Sequence, residues 1–475
     1  MEKVVDLNLW QKAHVKSQAE LNALFDEMSA LYQADSYANI ALRRALLERL
    51  KLALLRFQPQ LEQALSDDYG YRSDFDSVIC DLLPAIEHIN YTSKHLGKWM
   101  KASKRRAGLM LTPSKLEVIY QPLGVVGVVV PWNFPIFLSI GPIATALAAG
   151  NRVMVKLSEH TPHTNQVLTQ VFSEVDNHVY VVEGDVEIAQ YFSQLPFDHL
   201  LFTGSTKVGK LVAQEAAKNL TPVTLELGGK SPVIIAPDAD IYKSVDAILM
   251  GKSINAGQIC VAPDYVLLPE DKQKTFIEYY LQRFSELFIE SCQPLTKVIN
   301  QTQFDRLNSY LEDAQEKGAN IHTIEAKAQD RVLLPHLITN LTDSMLVMKE
   351  EIFGPILPVI GYRHIHQVFE YIENKPRPLA LYLMSNDRAL IEQVKKQTHS
   401  GGLCINDTLL HVSAKDAPFG GIGQAGMGHY HGIEGFRTFS KAKTVLTTPS
   451  WLPRSRLLLK HQSYLKQLMS TFFLR

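Results

Sequence analysis

From Ser17 onward the chain places Leu21, Leu24, Phe25, Met28 and Leu31 at three- and four-residue intervals, the spacing of one helix face, and "SQAE" just ahead has the form of a capping box. A second run, "NIALRRALLERLKLALLRF", repeats the pattern. Both read as amphipathic packing helices without chemistry. Near Val118 the texture changes. "VVGVVVPW", "NRVMVKLSE", "VYVVEGD", "HLLFTGS", "PVTLELGG" and "SPVIIAPD" are continuous apolar runs, each closed by Gly, Pro or a polar residue and separated by helix-sized segments. Such runs predict buried parallel strands joined by crossover helices, an α/β fold. A second α/β block is predicted over about Gly229 to Asp407, with strands near "YVLLP", "ILPVIGY", "LALYLMS" and "GGLCIND", followed by the glycine-rich, loop-like "APFGGIGQAGMGHYHG". No internal repeat and no low-complexity linker separates the blocks, which predicts interleaved domains.

The 475 residues carry 48 Lys and Arg against 49 Asp and Glu, so no overall field draws the chain to nucleic acid. Cys80, Cys260, Cys292 and Cys404 are too few and too widely spaced for a disulfide framework, and no CxxC pair suggests zinc; no metal is expected, and a reducing, cytoplasmic location is. The start, "MEKVVDLNLWQKAHVK", carries charge where a signal peptide needs an apolar core. No window is apolar enough for a transmembrane segment, and Arg454, Arg456, Lys460 and Lys466 interrupt the basic C-terminal tail.

In α/β sheets ligands bind beyond the carboxyl ends of the strands, so the residues just after each run carry the chemistry. "PWNFP" fixes the backbone around Asn133, whose amide can donate to an oxyanion or cap a helix. In "VKLSE", Lys156 and Glu159 suit the two hydroxyls of a ribose or form a surface pair. "FTGSTKVG" places Gly204, Ser205 and Gly209 at a helix start, where backbone N–H groups suit a pyrophosphate, although the spacing is neither GxGxxG nor that of a P-loop. Glu226 in "LELGGKSP" lies inside an apolar strand. Alternation there fits both a solvent-facing carboxylate and a desolvated one with the raised pKa of a base. Cys260 in "NAGQICVAPD" has no neighbouring histidine and needs a base, a helix N-terminus or a cation to become a nucleophile; Cys80, Cys292 and Cys404 read as small buried hydrophobes. "EEIFGP" contributes Glu351 and Phe353, and "PFGG" a turn.

Taken in order over about residues 118 to 445, "PWNFP", "VKLSE", "FTGSTKVG", "LELGGKSP", "GQIC", "EEIFGP" and "PFGG" resemble the aldehyde dehydrogenase superfamily. "NLTPVTLELGGKSP" and "PFGGIGQAGMGHYHGIEGFRTFS" are similar to its class 3 branch, and "DYGYRS" at residues 68–73 to bacterial coniferyl aldehyde dehydrogenases. The resemblance implies a Rossmann-type cofactor domain from residues 1–99 and 121–227 and an α/β catalytic domain over 228–412. It also implies a small bridging element from 100–120 and 413–475, used in a homodimer.

The activity implied is NAD(P)-dependent oxidation of an aldehyde to its acid, the aldehyde being aromatic of the coniferyl type or of medium to long chain. Cys260 would form the thiohemiacetal and thioester, Asn133 and the Cys260 N–H would hold the oxyanion, and Glu226 would activate water. NAD, with NADP also accepted, would be held by Trp132, Lys156, Glu159, Gly204, Ser205, Gly209, Leu227, Glu351 and Phe353. Leu157 replaces the usual proline of the "KPSE" pattern, which loosens the loop carrying Glu159. Three alternatives stand beside this: a CoA-acylating relative, disfavoured by the presence of Glu226; a catalytically inactive cofactor binder, disfavoured by the intact Cys260, Glu226 and Asn133; and a thiol hydrolase, which leaves the nucleotide-like segments without a role.

Overall fold

The computed structural model describes residues 15, 17–175, 177–326 and 330–473. Residues 1–14 and 16, on which the reading of the N-terminus as no signal peptide rests, lie outside the described residues. Helix Gln18–Ala34 starts where its sequence announces, with Ser17 Oγ accepting from Glu20 N at 3.2 Å. Asn39 caps helix Ile40–Arg56 in the same way, accepting from Leu42 N at 3.0 Å. Leu21 and Met28 of the first helix are buried in an apolar cluster with Phe192, Phe197, Leu225 and Leu227, which joins the helix to the first sheet.

That sheet has six strands in the order Gly426–Met427, Val223–Leu227, His199–Gly204, Val125–Val129, Arg152–Lys156 and Val179–Val182. The five long ones are parallel and Gly426–Met427 is antiparallel. Winding runs outward from Val125–Val129 to Val179–Val182, then restarts on the other side at His199–Gly204. A crevice opens at the carboxyl ends of strands flanking such a reversal, and Pro131–Asn133 and Gly204–Thr206 follow those two strands.

The second sheet has seven strands, in the order Asn320–His322, His336–Thr339, Ile356–Tyr362, Pro263–Pro269, Ser231–Ile235, Ala380–Met384 and Gly402–Ile405, all parallel except the first. Every apolar run singled out in the sequence forms a strand of one of the two sheets. The fold is α/β, as expected.

Two compact units emerge. One comprises the described residues through Trp99 together with Pro122–Ser440; the other comprises Met100–Gln121 with the chain from Lys441 onward. Residues 413–440, grouped with the bridging segments in the sequence reading, fall in the larger unit. Gly426 pairs with Glu226 in its first sheet, and Phe436 and Phe439 are buried. The smaller unit holds a three-stranded sheet, Ser103–Arg105, Lys115–Pro122 and Ser440–Thr447, and Arg454 Nη2 donates to Leu111 O at 2.6 Å. Among the described residues no helix is long and apolar enough to cross a membrane.

Candidate active site

Cys260 owes its position to an unusual turn. Helix Ile241–Ser253 runs into Asn255, Ala256 and Gly257, all left-handed, with φ of 50°, 52° and 70°. Side chains with a Cβ resist that region, so the turn has to be held from outside. Asp76 Oδ2 accepts from Asn255 N at 3.0 Å and from Thr296 Oγ1 at 2.5 Å. Gln258 Nε2 donates to Asn255 O at 2.9 Å and to Lys297 O at 3.1 Å, while its Oε1 accepts from Ile299 N at 3.0 Å. The turn delivers Cys260 to the wall of a cavity of about 330 Å³, which it shares with Asn133, Glu226, Glu351, Trp132 and Phe353.

Asn133 is clamped to the same turn. Its Nδ2 donates to Gln258 O at 3.1 Å, and its carbonyl accepts from Asn255 Nδ2 at 3.2 Å, Arg72 Nη1 at 3.1 Å and the Tyr69 hydroxyl at 3.3 Å. Arg72 is fully buried, 3.5 Å from the equally buried Asp81, with its guanidinium over the rings of Tyr69 and Phe134. Asp81 Oδ1 accepts from Phe137 N at 2.6 Å at the start of helix Phe137–Ala149. The capping task considered for Asn133 thus falls to Asp81, leaving the Asn133 amide turned toward Cys260's segment. The "DYGYRS" stretch therefore holds "PWNFP" in place, and the Arg72–Asp81 pair does not stand out in the sequence, because its nine-residue separation is not a side-chain spacing of one helix face.

Glu226 resolves to the desolvated alternative. It is 4% exposed, and neither carboxylate oxygen has a hydrogen-bond partner among the described residues. Burial pushes its carboxyl well above the usual carboxylate range. The "EEIFGP" loop is pinned by a Lys230–Asp264 ion pair: Lys230 Nζ donates to Val347 O at 2.8 Å and Glu350 O at 2.9 Å, and Asp264 Oδ2 accepts from Ile352 N at 2.9 Å. Arg306 adds bonds to the carbonyls of Glu351 and Ile352 at 3.3 and 2.9 Å. Glu351 then folds over the glycine pair, accepting from Gly229 N–H; a Cβ on Gly228 would lie 2.0 Å from its Oε2, so only glycine admits it there. Burial, followed by the charge of Asp264, raises Glu351 to about 8. Burial, followed by the charges of Glu351 and Glu226, pushes the Cys260 thiol up to about 12, against the pull of the Cys260 and Val261 N–H groups.

Gly204 and Ser205 line the same cavity, and Ser205 Oγ caps helix Thr206–Ala217 by accepting from Val208 N at 3.3 Å. Gly209, in the first turn, and Leu227 stand behind the wall: a Cβ on the glycine would be 2.5 Å from Leu227 Cδ2, so its absence lets the helix close onto the strand. Lys156 and Glu159 do not line the cavity. They sit at the end of the neighbouring strand, with Lys156 buried, Glu159 exposed and Nζ 3.7 Å from Oε2. The set fits a dinucleotide: a helix N-terminus with free N–H groups for the diphosphate, a lysine and carboxylate for one ribose, and Glu351 Oε1, buried without a partner, for hydroxyls of the other. Gln303, Arg306 and Tyr310, which the sequence reading passed over, complete the lining from helix Gln301–Glu316.

A second cavity, of about 150 Å³, also ends at Cys260, walled by Phe134, Phe137, Met250, Ile259, Leu409 and Phe419. Cys80 lines it and is half-buried, as is Cys404. Cys292, expected to be buried, is exposed instead; it lies in the turn after the helical segment Ser285–Ile289, where its neighbours are exposed too. No cluster of three or more His, Cys, Asp or Glu side chains is arranged to hold a metal among the described residues.

Known proteins match this chain over nearly its whole length. The sequence pattern of the aldehyde dehydrogenase family fits residues 5–445. A probable coniferyl aldehyde dehydrogenase of Pseudomonas aeruginosa is 48% identical over 441 residues, covering 91% of this chain and 93% of that protein. A coniferyl aldehyde dehydrogenase of a Pseudomonas species is 43% identical over 437 residues, covering 90% of each. Among solved structures, the substrate-bound state of Staphylococcus aureus AldH superposes with a TM-score of 0.90 at 34% identity, over 95% of this chain and 99% of that one. The NAD+ complex of a Bacillus cereus aldehyde dehydrogenase does so with a TM-score of 0.83 at 26% identity, over 91% and 89%. Agreement of this extent, carried by sequence and backbone alike, leaves one conclusion: the chain belongs to the aldehyde dehydrogenase family and is an NAD(P)-dependent enzyme of that family.

Proposed function

We propose that the protein oxidises a coniferyl-type aromatic aldehyde to the free acid through a covalent intermediate on Cys260, with NAD preferred and NADP also accepted. The observation that carries the reading is the meeting of Cys260, Asn133 and the unpartnered carboxyl of Glu226 on one cavity, while an apolar cavity ends at the same sulfur. The names of the Pseudomonas relatives support the aromatic substrate, and the aromatic walls of the second cavity suit a flat ring.

The chemistry follows from the residues. Cys260 Sγ attacks the aldehyde carbon, and the oxygen becomes an oxyanion. Asn133 Nδ2 carries two hydrogens and spends one on Gln258 O, so the other is free to donate to that oxygen, together with the Cys260 N–H. A bound nicotinamide supplies the hydride acceptor. Once the acyl group is held as a thioester, Glu226 takes a proton from water, the water oxygen adds to the acyl carbon, the C–S bond breaks, and the departing Cys260 thiolate takes up the proton that Glu226 holds. In this reading Trp132, Gly204, Ser205, Glu351 and Phe353 hold the cofactor along the cavity, and Gly209 and Leu227 set the helix that meets its diphosphate. Lys156 and Glu159 take the adenosine ribose, where a carboxylate disfavours the 2′-phosphate of NADP. The first sheet with the N-terminal helices is then the cofactor domain and the second sheet the catalytic one. The smaller unit serves homodimer formation, for which the outer strand Ser440–Thr447, paired on one side only among the described residues, offers a sheet edge.

Incubation with NAD+ and coniferyl aldehyde should give NADH and the free acid in equal amounts, with no change in product on adding coenzyme A. A marked preference for short aliphatic aldehydes would remove the substrate assignment, and a coenzyme A thioester product would remove the hydrolytic step. Asn133→Ala should lower turnover by about 10²- to 10³-fold, the usual weight of one oxyanion donor. NADH binding, followed by its fluorescence, should survive the change, since Asn133 is assigned to the oxyanion and not to the cofactor.

A further inference from the structure

The apolar cavity contains a buried imidazole that nothing in the proposed reaction uses. His431 lines it and is 2% exposed, yet neither ring nitrogen has a hydrogen-bond partner among the described residues. Its ring stacks on Phe419 with centroids 5.7 Å apart, and lies 6.1 Å from Phe137 and 5.3 Å from His88. The backbone there is also costly: φ is 99° and ψ 148°, a region that belongs to glycine. Tyr430 on one side is tied to Phe419 by two backbone hydrogen bonds of 2.9 Å, and His431 O accepts from Gly435 N at 2.8 Å, so the chain is held in that geometry from both ends. A buried imidazole with both nitrogens unpaired, on a strained backbone, is what a binding group looks like before its ligand arrives.

Ser413 and Tyr430 also meet this cavity. Ser413 is exposed. Tyr430, the preceding residue, packs its ring edge-on against that of His431 with centroids 4.4 Å apart. Burial holds His431 well below its ordinary value, so the ring is neutral near pH 7 and presents one acceptor and one donor.

We infer that His431 receives the ring hydroxyl of a hydroxyaryl aldehyde bound in this cavity, and is the residue that selects such aldehydes over their unsubstituted counterparts. The inference rests on the dehydrogenase reading above and names the substrate feature that reading leaves open. An aldehyde lacking the hydroxyl leaves the imidazole unpaired, as it is in the free protein, and gains nothing from it.

The test compares kcat/KM for 4-hydroxycinnamaldehyde and cinnamaldehyde, which differ by one oxygen, in the wild type and in His431→Phe, His431→Asn and His431→Gly. The wild type is expected to favour the hydroxylated aldehyde by about tenfold to a hundredfold, mainly through KM. His431→Phe should bring that ratio towards one. His431→Asn, which keeps an acceptor and tolerates the left-handed side, should retain part of the preference. His431→Gly suits the backbone and should lose the preference while NADH binding, followed by its fluorescence, is retained, which separates recognition from folding. A preference that persists in both the Phe and Gly variants overturns the inference. Equal efficiency of the wild type on the two aldehydes also overturns it, and leaves the dehydrogenase reading standing because both are oxidised. If the wild type oxidises neither with NAD+ or NADP+, the substrate reading fails and the inference falls with it.

Discussion

Cys260→Ala is expected to lower aldehyde-dependent NADH formation by about 10⁴- to 10⁶-fold, the scale on which loss of a nucleophile is felt when a covalent route is closed. NADH binding should remain, because the cofactor segments identified above do not depend on the sulfur. Cys260→Ser is the sharper variant. It keeps the geometry and exchanges a thiol for a hydroxyl that is far harder to ionise, so undiminished turnover would remove the covalent scheme altogether. The thiol itself is poorly prepared in the free protein. With its pKa pushed up to about 12, the thiol is almost wholly protonated near pH 7. Burial and two carboxylates cause this, so attack needs a proton acceptor or a compensating positive charge beside the sulfur. The sign fixes the pH dependence: both Cys260 and Glu226 hold their protons more tightly than in water, their ionised forms gain population as pH rises, and kcat/KM for the aldehyde should climb through neutral pH and into the alkaline range. A profile falling over that range would show that neither group is needed in its ionised form.

Much of this arrangement is legible along the chain. Ser17 caps its helix as "SQAE" indicates, and the long apolar runs all become strands, because a run buried on both faces of a parallel sheet needs no partner to be recognised. What escapes is what depends on the partner. Gly426–Met427 has no strand character of its own and becomes one by lying against Val223–Leu227; Asn320–His322 and His336–Thr339 are short, the first at the sheet edge and the second beside it. Alternation around Glu226 cannot say which face of its strand is covered, and the cover turns out to be complete. The Arg72–Asp81 pair and the Asp76 bond to Asn255 join residues 9 to 179 positions apart, so no local spacing reveals them. His431 is similar: "GHYHG" marks a family resemblance, while the unpaired imidazole is visible only once a cavity has formed around it.

Glu226→Gln should separate the two halves of the reaction. The amide is isosteric, so it should preserve the packing of Val223–Leu227 while removing the proton acceptor; the other buried carboxyl on the cavity, Glu351, is folded over the glycine pair, where it accepts from Gly229 N–H. If Glu226 serves the release of the acyl group, a first equivalent of NADH per active site should appear as a rapid burst, followed by turnover slowed by about 10²- to 10⁴-fold, the range typical of a lost general base. Mass spectrometry of the quenched protein should then find the acyl group on Cys260. If Glu226 is needed instead to deprotonate the thiol, the burst itself should slow and no acyl-protein should accumulate. Alkylation of Cys260 by iodoacetamide decides independently. The Glu226 charge raises the thiol pKa, so its removal should speed alkylation when the carboxylate acts in release alone and slow it when the carboxylate is the thiol's base. The unpartnered oxygens of Glu226 favour the first outcome, since a carboxyl already engaged with the thiol would show a hydrogen bond to it, and none is present among the described residues.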